Sequence, residues 1–144
     1  MEGRILVVDP GSKRLGIAIS DPYRIIATPL AVIQHTSMQE DCEKIIQFCE
    51  QHEVTLILVG QSLSSSGQIN PQTRHAQNLE EKMKSMTPIP VLLWDESGST
   101  RMAKKMRTEM GVTRKKRSGH LDDYAAAVIL QSYLDSNGDW SVNE

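Results

Sequence analysis

The chain has 144 residues, with 16 Lys and Arg against 18 Asp and Glu and a formal net charge of -2. That length suits one domain burying about two thirds of its unfolded surface without staples. The near-neutral balance excludes a global field as the driver of nucleic-acid binding and leaves any such binding to a local patch. No apolar stretch approaches about 18 residues and no signal peptide precedes Met1-Glu2-Gly3-Arg4, so a soluble cytoplasmic protein with no membrane partner is expected.

Ile5 to Val8 is a continuous apolar run of strand length, and Pro10-Gly11 punctuates it. It reads as a strand ended by Asp9, then a tight turn and a second strand. Ile25 to Ile33 is apolar but interrupted by Pro29, which fits an edge strand because proline donates nothing to a ladder. Met38, Cys42, Ile45, Ile46 and Cys49 recur at helical spacing, an amphipathic helix. Its two cysteines fall on one side two turns apart, too far for a disulfide whose Cβ atoms approach to about 4 Å, and read as small buried hydrophobes.

Val54 to Val59 is a short strand ended by Gly60, and Ser64-Ser65-Ser66-Gly67 follows as a polar loop. Pro71 opens a second helix with Ala76, Leu79 and Met83 inward, and Pro88-Ile89-Pro90 ends it before the run Val91 to Trp94. Met102, Ala103, Met106 and Met110 stripe a third helix stopped near Gly111. Leu121 to Leu134 is the last helix, and residues 136–144 form a polar tail to a domain of residues 1–135. Short turns pair strands antiparallel and intervening helices pair them in parallel, so a three-layer α/β fold with a mixed five-stranded sheet flanked by helices is expected.

Acids stand at three ends of these elements: Asp9, the Asp95-Glu96 pair and the Asp122-Asp123 pair. If the strands ending at Asp9 and Asp95 run the same way, their carboxyl ends share the edge where α/β sheets place ligands. The small Ala125, Ala126 and Ala127 let the last helix approach that sheet closely. Converging carboxylates repel and raise one another's pKa unless a cation neutralises them. Hard oxygen donors without His or Cys favour Mg²⁺ or Mn²⁺ over zinc, and two such ions suit phosphodiester hydrolysis. Taken singly, each acid has a blander reading: an Asx turn at Asp9, a solvated loop at Asp95-Glu96, and a helix-dipole contact worth ~0.3 to 1 kcal/mol at Asp122-Asp123. The three together favour metal.

Half of the basic residues fall in one run, Arg101, Lys104, Lys105, Arg107, Arg114, Lys115, Lys116 and Arg117. A solvated face is the ordinary meaning of such a run, but this one joins two acidic sites, where a nuclease would grip phosphates next to the cut. Lys13 and Arg14, in the first turn, stand beside Asp9 for the same purpose. No aromatic interleaves with the run, which favours recognition of backbone or shape over base stacking. His120 is a minor candidate for proton transfer or metal ligation.

Asp9-Pro10-Gly11 with Arg14, Gly16 and Ser20-Asp21, then Val59-Gly60, Asp95-Glu96 with Ser99-Thr100, and Asp122 with Ala125-Ala126 and Ile129-Leu130-Gln131 carry a resemblance over nearly the whole chain. The chain resembles the YqgF family of RuvC-like Holliday junction resolvases of the RNase H-like fold, also described as pre-16S rRNA nucleases. The resemblance implies the RNase H-like sheet, Asp9, Glu96 and Asp122 as the catalytic, metal-binding set, and magnesium-dependent cleavage of structured nucleic acid in the bacterial cytoplasm. Processing of the 5′ end of pre-16S rRNA is the leading expectation. Junction-DNA resolution and a catalytically silent nucleic-acid-binding module are its rivals, and monomer and homodimer both remain open. Two departures stand out. Ser97-Gly98 replaces the Arg that usually follows Asp-Glu, and Gln61-Ser62-Leu63 replaces the usual Leu-Pro-Leu.

Overall fold

The computed structural model describes residues 3–11, 13–61, 71–95 and 124–136. Its elements run β1 (Arg4–Pro10), β2 (Arg14–Ser20), β3 (Ala27–Gln34), α1 (Met38–Gln51), β4 (Val54–Gln61), α2 (Pro71–Met86) and β5 (Val91–Asp95), followed by helix α3 over 124–136. The five strands form one sheet in the order β3-β2-β1-β4-β5. β1 pairs with β2, and β2 with β3, antiparallel through short turns. β1 with β4, and β4 with β5, are parallel and joined through helices. The mixed α/β sheet expected from the turns and helices is the one that forms.

Several boundaries differ from the sequence-based expectations, each for a backbone reason. β1 continues through Asp9 to Pro10, because Asp9 still pairs with Gly16 and Pro10 with Leu15. β4 runs past Gly60 because Gly60 and Gln61 pair with Trp94 and Asp95. β3 starts only at Ala27, since the N–H groups of Ile25 and Ile26 donate to the Asp21 carboxylate at 2.7 and 2.8 Å and not to a ladder. The hydrogen bond from Ile26, helped by those from Ile25 and Tyr23, holds the Asp21 carboxyl below the usual carboxylate range. Pro29 sits on the edge strand, beside the register shift between Ile17 and Ala18. α3 extends through residue 136. The loop at 64–67, the helix expected around Met102 to Met110 and residues 137–144 lie outside the described residues.

Alternation along β1 sorts the core into two layers. Leu6 and Val8 pack with Cys42, Ile45 and Cys49 of α1 and Ala76, Leu79 and Met83 of α2. Ile5 and Val7 pack with Ala126, Ala127, Ile129 and Leu130 of α3. All four β1 residues are fully buried, as a strand covered on both faces must be. β2 presents Leu15, Ile17 and Ile19 to the first layer and the small Gly16, Ala18 and Ser20 to the second, which lets the alanines of α3 come close. Ser20 keeps that small column satisfied: its Oγ accepts from the Ile5 N–H at 2.8 Å and donates to the Asp21 carbonyl at 2.9 Å.

Gln131 ties α3 to the end of the sheet where β3 begins. Its Oε1 accepts from the Ala27 N–H at 2.9 Å and its Nε2 donates to the Ile25 carbonyl at 3.0 Å. Ala27 pairs with Ser20 and Leu6 with Ile19, so this is the end where β1 starts, opposite Asp9.

Cys42 and Cys49 are free and buried, as their spacing predicts. Burial pushes the Cys42 thiol up to about 11 and the Cys49 thiol up to about 12, so neither is a thiolate at neutral pH. Iodoacetamide should therefore leave both unlabelled in the native protein at mildly alkaline pH and label both in guanidinium. Rapid labelling of either in the native state would contradict this packing.

Candidate metal and nucleic-acid site

The parallel strands β1, β4 and β5 finish at one edge of the sheet, where Asp9 is a half-buried residue one position from the end of β1. By alternation with Ile5 and Val7, its side chain is on the α3 face. Its antiparallel partner is Gly16. On the other side, Val8 is level with Val59, so Gly60 is the next position along β4, on the face of Leu56 and Leu58. Neighbouring strands lie about 4.8 Å apart, and the Asp9 carboxylate thus rises from a strip on which neither flanking residue has a side chain. Glycine inside a strand weakens it, and marks places where a ligand or another backbone approaches closely.

Beyond Gly60 the same row reaches Trp94. Its indole packs edge-on against Tyr133 of α3, centroids 5.0 Å apart at 89°. Trp94 Nε1 is buried with no hydrogen-bond partner, as are Gln61 Oε1 and His75 Nε2. Gln61 and Trp94 close β4 and β5, and His75 is in the first half of α2, the helix that leaves this edge. Buried polar atoms are normally paired; the Trp94 orphan is on the α3 face with Asp9, whereas Gln61, one residue past Gly60, and His75 of α2 are on the other face of the sheet. Gln61 is also one of the two departures from the family pattern.

The turn between β1 and β2 borders Asp9. Gly11 N–H donates to the Arg14 carbonyl at 2.9 Å, closing the turn, and a Cβ on Gly11 would run into that carbonyl. Lys13 and Arg14 leave the turn exposed to solvent, at the edge where phosphates would have to arrive.

Of the three expected metal acids, Asp9 is the one within the described residues. The backbone of Asp95 is in β5, paired with Gln61. Glu96, Asp122, Asp123, His120 and the basic residues Arg101, Lys104, Lys105, Arg114, Lys115, Lys116 and Arg117 lie outside the described residues. Among the described residues, no three His, Cys, Asp or Glu side chains are disposed to hold a metal ion. Sequence reasoning alone does not single out Gly16 and Gly60 as the floor around Asp9, although each breaks a β-rich run at the level of the acid.

The chain is similar to proteins of known family. A family model described as "RuvX: Holliday junction resolvase" matches residues 3–136. A relative from Roseiflexus sp. (strain RS-1), named "Putative pre-16S rRNA nuclease", is 32% identical, covering 93% of this chain and 95% of its own length. One from Protochlamydia amoebophila with the same name is 39% identical, covering 92% and 93%. Among solved structures, Thermus thermophilus RuvC in complex with a Holliday junction substrate superposes with a TM-score of 0.59 at 14% identity, covering 94% of this chain and 96% of that one. The fowlpox virus resolvase in complex with junction DNA gives 0.52 at 14%, covering 93% and 98%. These superpositions show a shared RuvC-like, RNase H-like fold, and the family match with the sequence relatives shows that the chain belongs to the RuvX family.

Proposed function

We propose that this protein is a metal-dependent nuclease that hydrolyses phosphodiester bonds at the 5′ end of pre-16S rRNA in the cytoplasm. The observation that carries this reading is the position of Asp9: a carboxylate at the carboxyl edge of parallel strands, between Gly16 and Gly60, on the face that α3 covers. The names of the relatives support rRNA as substrate. The family description supports branched DNA as a second substrate for the same chemistry.

Asp9, Glu96 and Asp122 are the residues that would hold Mg²⁺ or Mn²⁺. The donor at Asp9 fits such an ion in kind, being a hard carboxylate oxygen on a half-buried residue. Continuing the alternation of β5 from Trp94, which packs on the α3 face, would give Glu96 the face of Asp9. Ala126 and Ala127 are buried over the sheet ahead of Gln131, so α3 crosses from the edge of Asp9 toward the opposite end, and Asp122 precedes Ala126 by four residues in the sequence. Bound there, divalent ions supply an activated water and neutralise the leaving oxygen. The chain's own part is to aim carboxylates at one point, to leave the floor beneath them bare, and to hold phosphates with Lys13, Arg14 and the run from Arg101 to Arg117.

Asp9→Asn keeps the shape of the side chain and removes one charge. It should lower hydrolysis by about 100-fold or more, since even residues behind a ligand are worth 10- to 100-fold, while weakening Mn²⁺ binding measured by water proton relaxation. Glu96→Gln should do the same, and Asp122→Asn should do more damage than Asp123→Asn. An Asp9→Asn protein that cuts at the parent rate would remove the site. A parent protein that binds nucleic acid but never cuts it in Mg²⁺ or Mn²⁺ would leave the silent binding module instead. Cleavage assays on precursor rRNA ends and on four-way DNA junctions decide between the two substrates.

Gly60→Val tests the floor. The valine methyls occupy the buried strip beside Asp9 and should reduce both Mn²⁺ affinity and hydrolysis about tenfold or more, with the melting temperature measured alongside to show that the added volume leaves the fold intact. Unchanged activity would show that nothing binds over that strip.

The basic run should govern affinity and leave the chemical step alone. Lys115→Ala, Lys116→Ala and Arg117→Ala combined should flatten the dependence of log K on log salt by roughly 0.7 to 0.9 for each phosphate no longer neutralised, with much of the rate restored at saturating substrate. An unchanged salt slope would make the run a solvated surface.

A further inference from the structure

The turn that carries Lys13 is held from outside by groups with no part in metal binding. The Lys13 carbonyl accepts the backbone N–H of His35 at 2.9 Å. His35 is the first residue after β3, and its ring is fixed in turn: Nδ1 lies 2.5 Å from Asp41 Oδ2. The other Asp41 oxygen accepts the Thr36 N–H at 3.2 Å. On its far side the His35 ring meets His75 edge to face, centroids 6.1 Å apart at 83°.

Asp41 is in the first turn of α1, where an acid ordinarily stays in solvent and favours the helix dipole. Here it is 1% exposed, and the helix start is already capped by Ser37 Oγ, which accepts the Glu40 N–H at 3.2 Å. A buried carboxylate is tolerated only when it is paired and hydrogen-bonded. Asp41 therefore requires His35 and Thr36 to stay where they are, and the backbone of His35 fixes the carbonyl of Lys13. The line of constraint runs from the interior of the α1 layer to an exposed lysine at the edge of Asp9.

We propose that Asp41 and His35 are positioning residues for nucleic-acid binding, holding the turn so that Lys13 meets a phosphate of the bound strand. This rests on the nuclease reading above only in placing the nucleic acid at the Asp9 edge. Asp9 itself is fixed by its own pairing in the sheet, so the clamp acts on grip and leaves the carboxylate in place.

The test is binding of a fluorescent RNA hairpin across a salt series, with steady-state cleavage alongside. The proteins are the parent, Asp41→Asn, His35→Gln, Lys13→Ala and the double variants Lys13→Ala/Asp41→Asn and Lys13→Ala/His35→Gln. Asp41→Asn and His35→Gln should each weaken binding several-fold, flatten the salt slope by about 0.7 to 0.9, as release of one phosphate does, and raise KM with kcat unchanged. Asp41→Asn should add nothing once Lys13 is gone. Should Asp41→Asn fail to fold, His35→Gln, at a side chain 32% exposed, carries the same predictions. Additive losses in Lys13→Ala/Asp41→Asn, a fall in kcat at constant KM, or an unchanged salt slope would each overturn the proposal. So would a loss in His35→Gln that persists without Lys13 while that of Asp41→Asn does not, because His35 would then touch the strand itself. If Lys13→Ala binds like the parent, the proposal also falls, whereas the nuclease reading falls if the parent never cuts or if Asp9→Asn cuts at the parent rate.

Discussion

Burial of β1 on both faces is the constraint on which the rest of the molecule depends. Four consecutive residues, Ile5 to Val8, are wholly shielded from solvent, and their strict alternation assigns each to one helical layer or the other. Asp9 inherits its face of the sheet from that alternation. Shifting β1 by one residue would exchange the two layers and turn the carboxylate to the face of α1 and α2. The apolar run thus aims the acid that follows it.

The two layers are built differently, and the difference serves the site. Over one face, Leu and Ile side chains meet two helices. Over the other, Gly16, Ala18 and Ser20 on β2 face the alanines of α3, so that one helix packs close to the sheet and Ile5 can use a serine hydroxyl in place of a ladder partner. Close approach brings the start of α3 toward the strand ends without a long side chain between them. The same absence of side chains includes the strip at Gly16 and Gly60 on either side of Asp9.

Most of the fold was legible because burial imposes periods on a sequence. The unbroken run of β1, the helical spacing of Met38 to Cys49 and the proline in β3 each have one comfortable place, and each took it. Boundaries were less legible. Gly60 and Asp9 look like stops, yet their backbone groups still have partners, and only the pairing of another strand reveals that. The pair His35 and Asp41 was invisible for a related reason: an acid six residues after a histidine carries no pattern, and its burial depends on how α1 lies over β3. For the site, the sequence offered three acids by their place at the ends of elements. Of these, Asp9 stands at the carboxyl edge of parallel strands as expected, and its glycine neighbours are a detail that only register supplies.

Asp9 and Lys13 are four residues apart, yet they answer to opposite layers. The acid is aimed by β1 against α3. The lysine backbone is tied through His35 to a carboxylate inside the α1 layer. A sheet that separates these two supports lets the packing around Asp41 and the packing around α3 vary without disturbing each other. The tight turn closed by Gly11 and Arg14 is the joint between them, and a Cβ at Gly11 would meet the Arg14 carbonyl. Constraint is therefore greatest at the turn, where neither layer can accommodate a change made for the other.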